Sequence, residues 1–458
     1  MTPLALSSGD APIPQQAEPG RAVDRLGTIV LYMPMIGITI LCKFAYEISG
    51  SEILFGVPMI LAAAGLGLLS GRLKVEPQRM AAYLLLAAIL VAESALAVQT
   101  FVMSSLILLL AMPLAYGFRL VAPVEPAEVH LRRFLNLAFI ICLAGIAQYF
   151  GQFVLGKKLV FPIESFTPHN FVTHQYNTQI PIHFGGSTYK SNGIVMLEPS
   201  YFSQLLALGF SLEFVGPKRL VRLGAYLIGF YVAYSGTGLV MLGVTITVLL
   251  IVNKRFDQLI IGLVGAVVVF MFAEQLRLDF FTKRLTEFNS TGSSGYQRYI
   301  GGLHLFNQYL WHTPQRWLFG LGAGMMFRTT PWATFATAGT GWVKMMLEFG
   351  LVGFISYFGF LFYCTFRAPQ PLALRLCIAV TMLLNGIFDP WSHGLVLSLL
   401  AWLPPLQDPH LLSRRKQGDA PPAERVWTGA SVIRPVPGMH PELPRGSRGN
   451  PALGRGSP

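Results

Sequence analysis

The chain reads as an all-α polytopic integral membrane protein with about 12 transmembrane helices and two large external segments. Composition is the first reason: of 458 residues, 53% are hydrophobic and 12% charged, with a mean hydropathy of +0.53. Soluble domains carry roughly a quarter charged residues, and a soluble fold has no interior large enough for this much apolar surface. The second reason is that the apolar residues come in blocks near the length of about 20 helical residues that crosses a hydrocarbon core of roughly 30 Å. The third is continuity. Leu84–Leu90 and Leu259–Phe272 are unbroken apolar runs, whereas the strands of a membrane barrel alternate.

In chain order, the hydropathy pattern predicts spans near 27–44, 53–70, 80–98, 101–118, 134–155, 199–215, 223–236, 237–252, 259–273, 342–366, 376–388 and 394–406. Basic residues in the connections orient them, because cytoplasmic loops carry the excess of Lys and Arg. Arg21 and Arg25 precede the first span, and the stretch Tyr46–Glu52 after it holds no positive charge. Basic residues then recur in every second connection: Arg72/Lys74/Arg79, Arg119/Arg132/Arg133, Lys218/Arg219/Arg222, Lys254/Arg255, Arg367/Arg375 and Arg414/Arg415/Lys416. Both termini are therefore expected in the cytoplasm, with Lys43 as the one charge that sits against the pattern. The expected organisation is a cytoplasmic segment 1–26, spans over 27–155, an external segment 156–198, spans over 199–273, a larger external segment 274–341 with an interfacial helix, spans over 342–406, and a basic cytoplasmic tail 407–458.

The net charge of +12 follows from these cytoplasmic turns and the tail, so it does not point to a nucleic-acid partner. The tail is rich in Pro, Gly, Arg and Ser and is expected to be disordered. The residues up to Gly20 lack the layout of a cleavable signal peptide, so the first span is expected to insert uncleaved. The four cysteines, Cys42, Cys142, Cys364 and Cys377, all fall in predicted spans, which leaves no disulfide framework or paired-cysteine metal site. His169, His174 and His183 are spaced without acidic partners at helical offsets, so neither a metal nor a cofactor is expected.

Polar groups at a membrane edge are costly and usually kept for a purpose, and they gather in three places. The first is Lys190-Ser-Asn-Gly-Ile-Val-Met-Leu-Glu198-Pro199-Ser200, which leads into the sixth span. Pro199 suits the first turn of a helix and Glu198 its positive end; equally, a carboxylate there can act as a general base or orient a cation. The second is the 274–341 segment with the start of the next span, which carries Arg277, Lys283, Arg284, Arg298, Arg316, Arg328 and Lys344 against Glu274, Asp279, Glu287 and Glu348. Within it Ser293–Trp311 reads as a Ser-started helix lying at the interface, with Arg298 among aromatics. Arg298 is either an interface anchor or a planar fork for phosphate oxygens. The third is Leu318-Phe-Gly320-Leu-Gly322-Ala-Gly324, followed by Gly341-Trp-Val-Lys344-Met-Met-Leu-Glu348-Phe-Gly350. No strand precedes these glycines, so close backbone packing is expected rather than a nucleotide loop.

In order, these stretches resemble the bacterial family of O-antigen ligases and Wzy-type polysaccharide polymerases, over roughly residues 185–360. The Glu198-Pro199-Ser200 helix start is most similar to the exopolysaccharide-polymerase branch. The resemblance implies an inner-membrane enzyme that joins undecaprenyl-diphosphate-linked repeat units at the periplasmic face and needs no nucleotide sugar. Its implied partners are the lipid-linked oligosaccharide, the bilayer, a chain-length-determining co-polymerase and a flippase. Arg298 and Glu198 are the implied catalytic pair, and Lys190, Arg284, Arg298 and Arg328 the groups that hold the diphosphate. Lys190 stands where relatives often carry Arg, which keeps the charge and loses the bidentate fork. Ligases of this family carry a His shortly before the Glu-x-Gly span start; Gly339 or Thr340 stands there in this chain, which favours polymerase.

Fixed cations would stabilise the departing diphosphate, with Arg298, Arg284 and Lys190 as candidates, and Glu198 would take the acceptor hydroxyl's proton. Tyr176, Tyr189, Trp311, Trp317 and Trp332 are candidates for stacking on sugar rings. The alternatives are a ligase, a flippase or transporter, and a non-catalytic envelope scaffold. A transporter would be expected to show midplane charges and two similar halves. Glu93 and Glu213 are the few acids inside spans, and no repeat is visible.

Overall fold

The computed structural model describes residues 24–404, apart from 49–50, 97–100, 122–123, 175, 183–185, 273–274, 276–295 and 330–339. Among the described residues the protein is mostly helical, and every apolar stretch named above carries a helix. Helix α1 is Arg25–Thr39, α2 Gly56–Leu69, α3 Pro77–Leu96, α4 Met103–Leu114 and α5 Ala127–Val160. The short α6, Pro162–Phe166, follows, and then α7 Pro199–Val215, α8 Leu220–Ala233, α9 Gly236–Val252 and α10 Phe256–Met271. After the helical turn Tyr296–Ile300 come α11 Gly301–Tyr309, α12 Pro314–Phe319 and α13 Met325–Thr329. The chain then forms α14 Gly341–Phe366, α15 Leu372–Leu384 and α16 Pro390–Val396, which runs into the turn Leu397–Ala401.

Among the described residues three stretches are long and apolar enough to cross a membrane: Pro77–Leu96, Ala127–Phe166 and Gly341–Phe366. Others are shorter, among them α1, α2, α8, α9 and α15. The outer faces match a lipid solvent, because large apolar side chains such as Leu69, Leu84, Ile261 and Val264 are exposed rather than covered. With internally bonded helices and apolar exteriors, this is a membrane protein.

The sequence explains the helix ends. Asp24 accepts the amides of Leu26 and Gly27, each at 3.2 Å, and so caps α1. Pro199 and Pro390 open α7 and α16 at the first helical position. The first span was expected to reach residue 44, but α1 stops at Thr39. The chain then turns so that Lys43 points inward instead of out. The last two helices start earlier than the hydropathy pattern implies, at Leu372 and Pro390, because Pro and the Asp389 cap set the starts. Two antiparallel ladders clip the connections together. Strand β1 (Ala45–Ile48) pairs with β2 (Ser51–Leu54) with Ala45 opposite Leu54, and β3 (Leu73–Val75) pairs with β4 (Phe118–Leu120) with Leu73 opposite Leu120.

Helix α7 is the centre of the core and packs on α5, α8, α9 and α15. Every residue from Pro199 to Gly209 is buried, including the polar Ser203 and Gln204. A helix buried on all sides lacks an amphipathic pattern, and its first turn is held by its neighbours.

Candidate functional site

The loop leading into α7 is built to a fixed shape. Gln148 of α5 accepts from the Ser191 hydroxyl at 2.9 Å and from the amides of Asn192 and Ile194 at 3.0 and 3.2 Å. Its own amide donates to Asn192 Oδ1 at 3.0 Å, and Asn192 donates to the Thr178 carbonyl at 2.8 Å. Ile194 is held at φ +67°, directly after Gly193 at the same angle. For a β-branched residue this conformation costs roughly 1–2 kcal/mol, and such strain persists only where surrounding contacts over-determine it. One of those contacts is the buried Lys43, whose ammonium lies 2.5 Å from the Ile194 carbonyl and 2.7 Å from Glu164 Oε1. That ion pair accounts for the one lysine that breaks the expected charge pattern.

Four residues on, Glu198 occupies the position before α7 with an extended backbone, and its carboxylate does not cap the helix. Instead Oε1 accepts the Asn177 amide at 3.2 Å and Oε2 accepts the Ser200 hydroxyl at 3.1 Å. The half-buried carboxylate therefore faces the 170s loop. That loop walls a cavity of about 410 Å³ lined by Glu164, His169, Thr173, His174, Tyr176, Asn177 and Gln179 among others, with no Lys or Arg among the described lining residues. Its polar neutral side chains and carboxylate suit hydroxyl-rich ligands better than anions.

Behind Glu198 is a second carboxylate that the sequence reading missed. Asp389 precedes α16, accepts the Trp391 amide at 3.3 Å and lies 3.5 Å from the Ser392 hydroxyl. The Tyr201 hydroxyl of α7 also donates to it, and Tyr201 in turn hydrogen-bonds Tyr176. Burial pushes the Asp389 carboxyl up to about 7, against the opposing pull of those donors. Burial, joined by the charges of Asp389, Glu198 and Glu52, raises the Tyr176 hydroxyl as well. Neighbouring Asn385 exchanges two hydrogen bonds with Gln204, at 2.8 and 3.0 Å, and Trp391 Nε1 donates to the same Gln204 at 3.1 Å. The result is a buried polar network tying α7 to the α15–α16 connection, with tyrosines leading from Asp389 toward the cavity. A carboxyl near 7 can hold or release a proton close to neutral pH. The sequence did carry a signal: Asp389-Pro390 repeats the acid-proline start of Glu198-Pro199, between two apolar stretches.

The other expected residues distribute as follows. Lys190 is half-buried in the same loop, its amide donating to the Ile180 carbonyl at 2.9 Å. Arg298 falls in the helical turn Tyr296–Ile300, which continues into α11, and its side chain lies outside the described residues. Arg284, His183 and Trp332 also lie outside them. Arg328 is exposed on α13. Lys344 and Glu348, expected as part of an external basic cluster, are instead a buried ion pair at 2.5 Å, one helical turn apart on α14. Glu213 is bound by Arg219 and Arg222, and Glu93 is buried against Gly353. The rings of His169 and His174 stack at 3.8 Å. Among the described residues no group of three His, Cys, Asp or Glu is set to hold a metal.

The glycine stretches meet each other. Leu321 and Gly322 donate to the carbonyls of Leu347 and Glu348 at 3.0 and 2.8 Å. Gly350 interrupts α14 at φ 60°, ψ −161°, and a Cβ there would stand 2.4 Å from the Leu318 carbonyl carbon, while one on Gly320 would stand 2.4 Å from that of Glu348. Only glycine on both sides permits that approach. No family model matches the chain, and no curated protein matches it either.

Proposed function

We propose that the chain is a polysaccharide polymerase of the bacterial inner membrane, which transfers a growing glycan from its lipid-diphosphate carrier to the next lipid-linked repeat unit. The observation that carries this reading is Glu198: its carboxylate leaves the helix end it could cap and turns to the Asn177 wall of a polar cavity. There it would take the acceptor hydroxyl's proton, with the Tyr176–Tyr201–Asp389 chain as the route onward. In this reading the apolar stretches form about 12 spans, both termini are cytoplasmic, and the segments 156–198 and 274–341 are periplasmic. Arg298 stabilises the departing diphosphate, together with Lys190, Arg284 and Arg328. A co-polymerase that sets chain length and a flippase that supplies repeat units would act beside it.

Deleting the gene and separating the surface glycan by length tests the proposal. Loss of long chains with single repeats kept on the lipid supports it. Long chains that persist unattached to their anchor would establish a ligase instead, and repeats trapped on the cytoplasmic leaflet a flippase.

A further inference from the structure

The departing diphosphate is assigned above to Arg298 and its companions, but the acceptor repeat unit has a lipid diphosphate of its own, and no Lys or Arg is among the described residues that line the first cavity. A second cavity, of about 370 Å³, opens beside the break in α5 and is lined by Gln152, Phe153, Lys157, Ser187, Thr188 and Tyr189 together with Gly156. No carboxylate is among the described residues of that lining. Its wall is anchored, because the Tyr189 amide donates to Gln152 Oε1 at 2.7 Å and Gln152 Nε2 donates back to the Tyr189 carbonyl at 3.1 Å. Ile182 and Thr188 pair across the same loop at 2.8 Å. The Lys157 ammonium lies 4.4 Å above the Tyr189 ring, which holds it at the cavity without neutralising it. Lys158 follows in the same last turn of α5.

Directly before and after these lysines the helix shows bare apolar surface: Phe153 is 62%, Val154 84% and Leu159 56% exposed. Gly156, at φ +75°, makes the break that turns Lys157 out of the helix line. An apolar face that ends in a cation, hydroxyls and an aromatic ring is complementary to an amphiphile with an anionic head. We infer that the Lys157–Tyr189 cavity binds the diphosphate head of a long-chain lipid, whose tail lies along the Phe153–Leu159 face. This rests on the polymerase reading for the identity of the lipid as glycan carrier. Lys157 supplies the charge, and Ser187 and Thr188 supply hydroxyl donors. The acceptor's carrier would thus be held at α5 while its sugars extend toward the cavity walled by Asn177, to whose amide Glu198 is bonded.

The test is binding of farnesyl diphosphate to the purified full-length protein in nanodiscs, with inorganic pyrophosphate and phosphatidylglycerol as competitors. Wild type should bind farnesyl diphosphate, Lys157→Gln should weaken it by about tenfold or more, and Lys157→Arg should restore most of the affinity. Tyr189→Leu should weaken it as well, with unchanged elution and thermal unfolding for each variant. Unchanged affinity in Lys157→Gln overturns the inference. So does equal competition by phosphatidylglycerol, which would make the site a general headgroup anchor, or by inorganic pyrophosphate, which would make it a free-phosphate site. The assay needs no turnover, so loss of polymer in a strain that lacks the gene and loss of lipid binding in Lys157→Gln fail independently.

Discussion

Lys43→Met tests the frame that holds Glu198. Lys43 is fully buried and its partner Glu164 is 8% exposed, with 2.7 Å between them. Removing the ammonium leaves a desolvated carboxylate whose second oxygen has no hydrogen-bond partner among the described residues, and breaking a buried pair from one side costs about 3–5 kcal/mol. The Ile194 carbonyl loses its donor too, at roughly 1 kcal/mol, just where the backbone is strained. Replacing both partners, as Lys43→Met/Glu164→Leu, removes charge and countercharge together and should cost far less than the sum of the two single changes, since apolar replacement of a buried pair is often near neutral. The double-mutant cycle should therefore show a coupling of at least about 3 kcal/mol. Denaturant unfolding of the purified protein in mixed micelles, followed by tryptophan fluorescence, measures each corner. A single-mutant loss under about 1 kcal/mol, or a double variant as unstable as the sum of the singles, would refute the argument that this pair fixes the loop.

Glu198→Gln should leave lipid-linked substrate binding intact and lower polymer turnover by about 100-fold or more; an unchanged rate returns Glu198 to a helix-start role. Arg298→Ala should be expressed in the membrane at normal levels yet yield no long chains on a gel of surface glycan, and wild-type chain length would remove Arg298 from the diphosphate site. Asp389 has a carboxyl raised in the fold from 3.8 to about 7, so the native state binds its proton more tightly than the unfolded chain does. Its stabilising contribution is complete below about pH 4 and fades as pH rises through about 7. Asp389→Asn should flatten that part of the stability profile, and parallel profiles for the two proteins would rule it out. Gly350→Ala should cost about 3–5 kcal/mol from positive-φ strain and the clash with the Leu318 carbonyl, read as a lower unfolding midpoint; an unaltered midpoint would show that α14 needs no break there.

Hydropathy located the helices because a lipid-facing backbone leaves the chain little choice. The start of α7 was legible to the residue, since Pro199 admits one place in a helix. The pairing of the two glycine turns was legible only as a tendency, because the partner of a close approach is a tertiary fact. Composition groups Lys344 and Glu348 with the charges of the external segment, yet an i,i+4 pair on a broken helix can be buried whole. Asp389 was passed over for a similar reason. Hydropathy blurs a single acid between two apolar stretches, and only the packing of α7 against the α15–α16 connection gives it Tyr201 as a partner.

That packing also bears on how the two carboxylates can work together. Glu198 is half-buried and bonded to a main-chain amide and a hydroxyl, whereas Asp389 is enclosed and has a raised affinity for protons. Two acids in such different surroundings can divide their roles: in the proposed reaction Glu198, bonded to the Asn177 wall, would meet a substrate hydroxyl, and the enclosed Asp389 would store a proton near neutral pH. Tyr201 stands on α7 one turn from Glu198 and reaches Asp389, so a rigid first turn keeps both acids in register. Tyr201→Phe separates this from a purely structural account. It removes the hydroxyl and keeps the ring packed at 6.3 Å from Trp391, so stability should change by only about 1 kcal/mol. Without that donor the Asp389 carboxyl should titrate higher still, and the activity profile of the variant should shift to higher pH. An unshifted profile in a stably folded variant would mean that Asp389 takes no part in the proton's path.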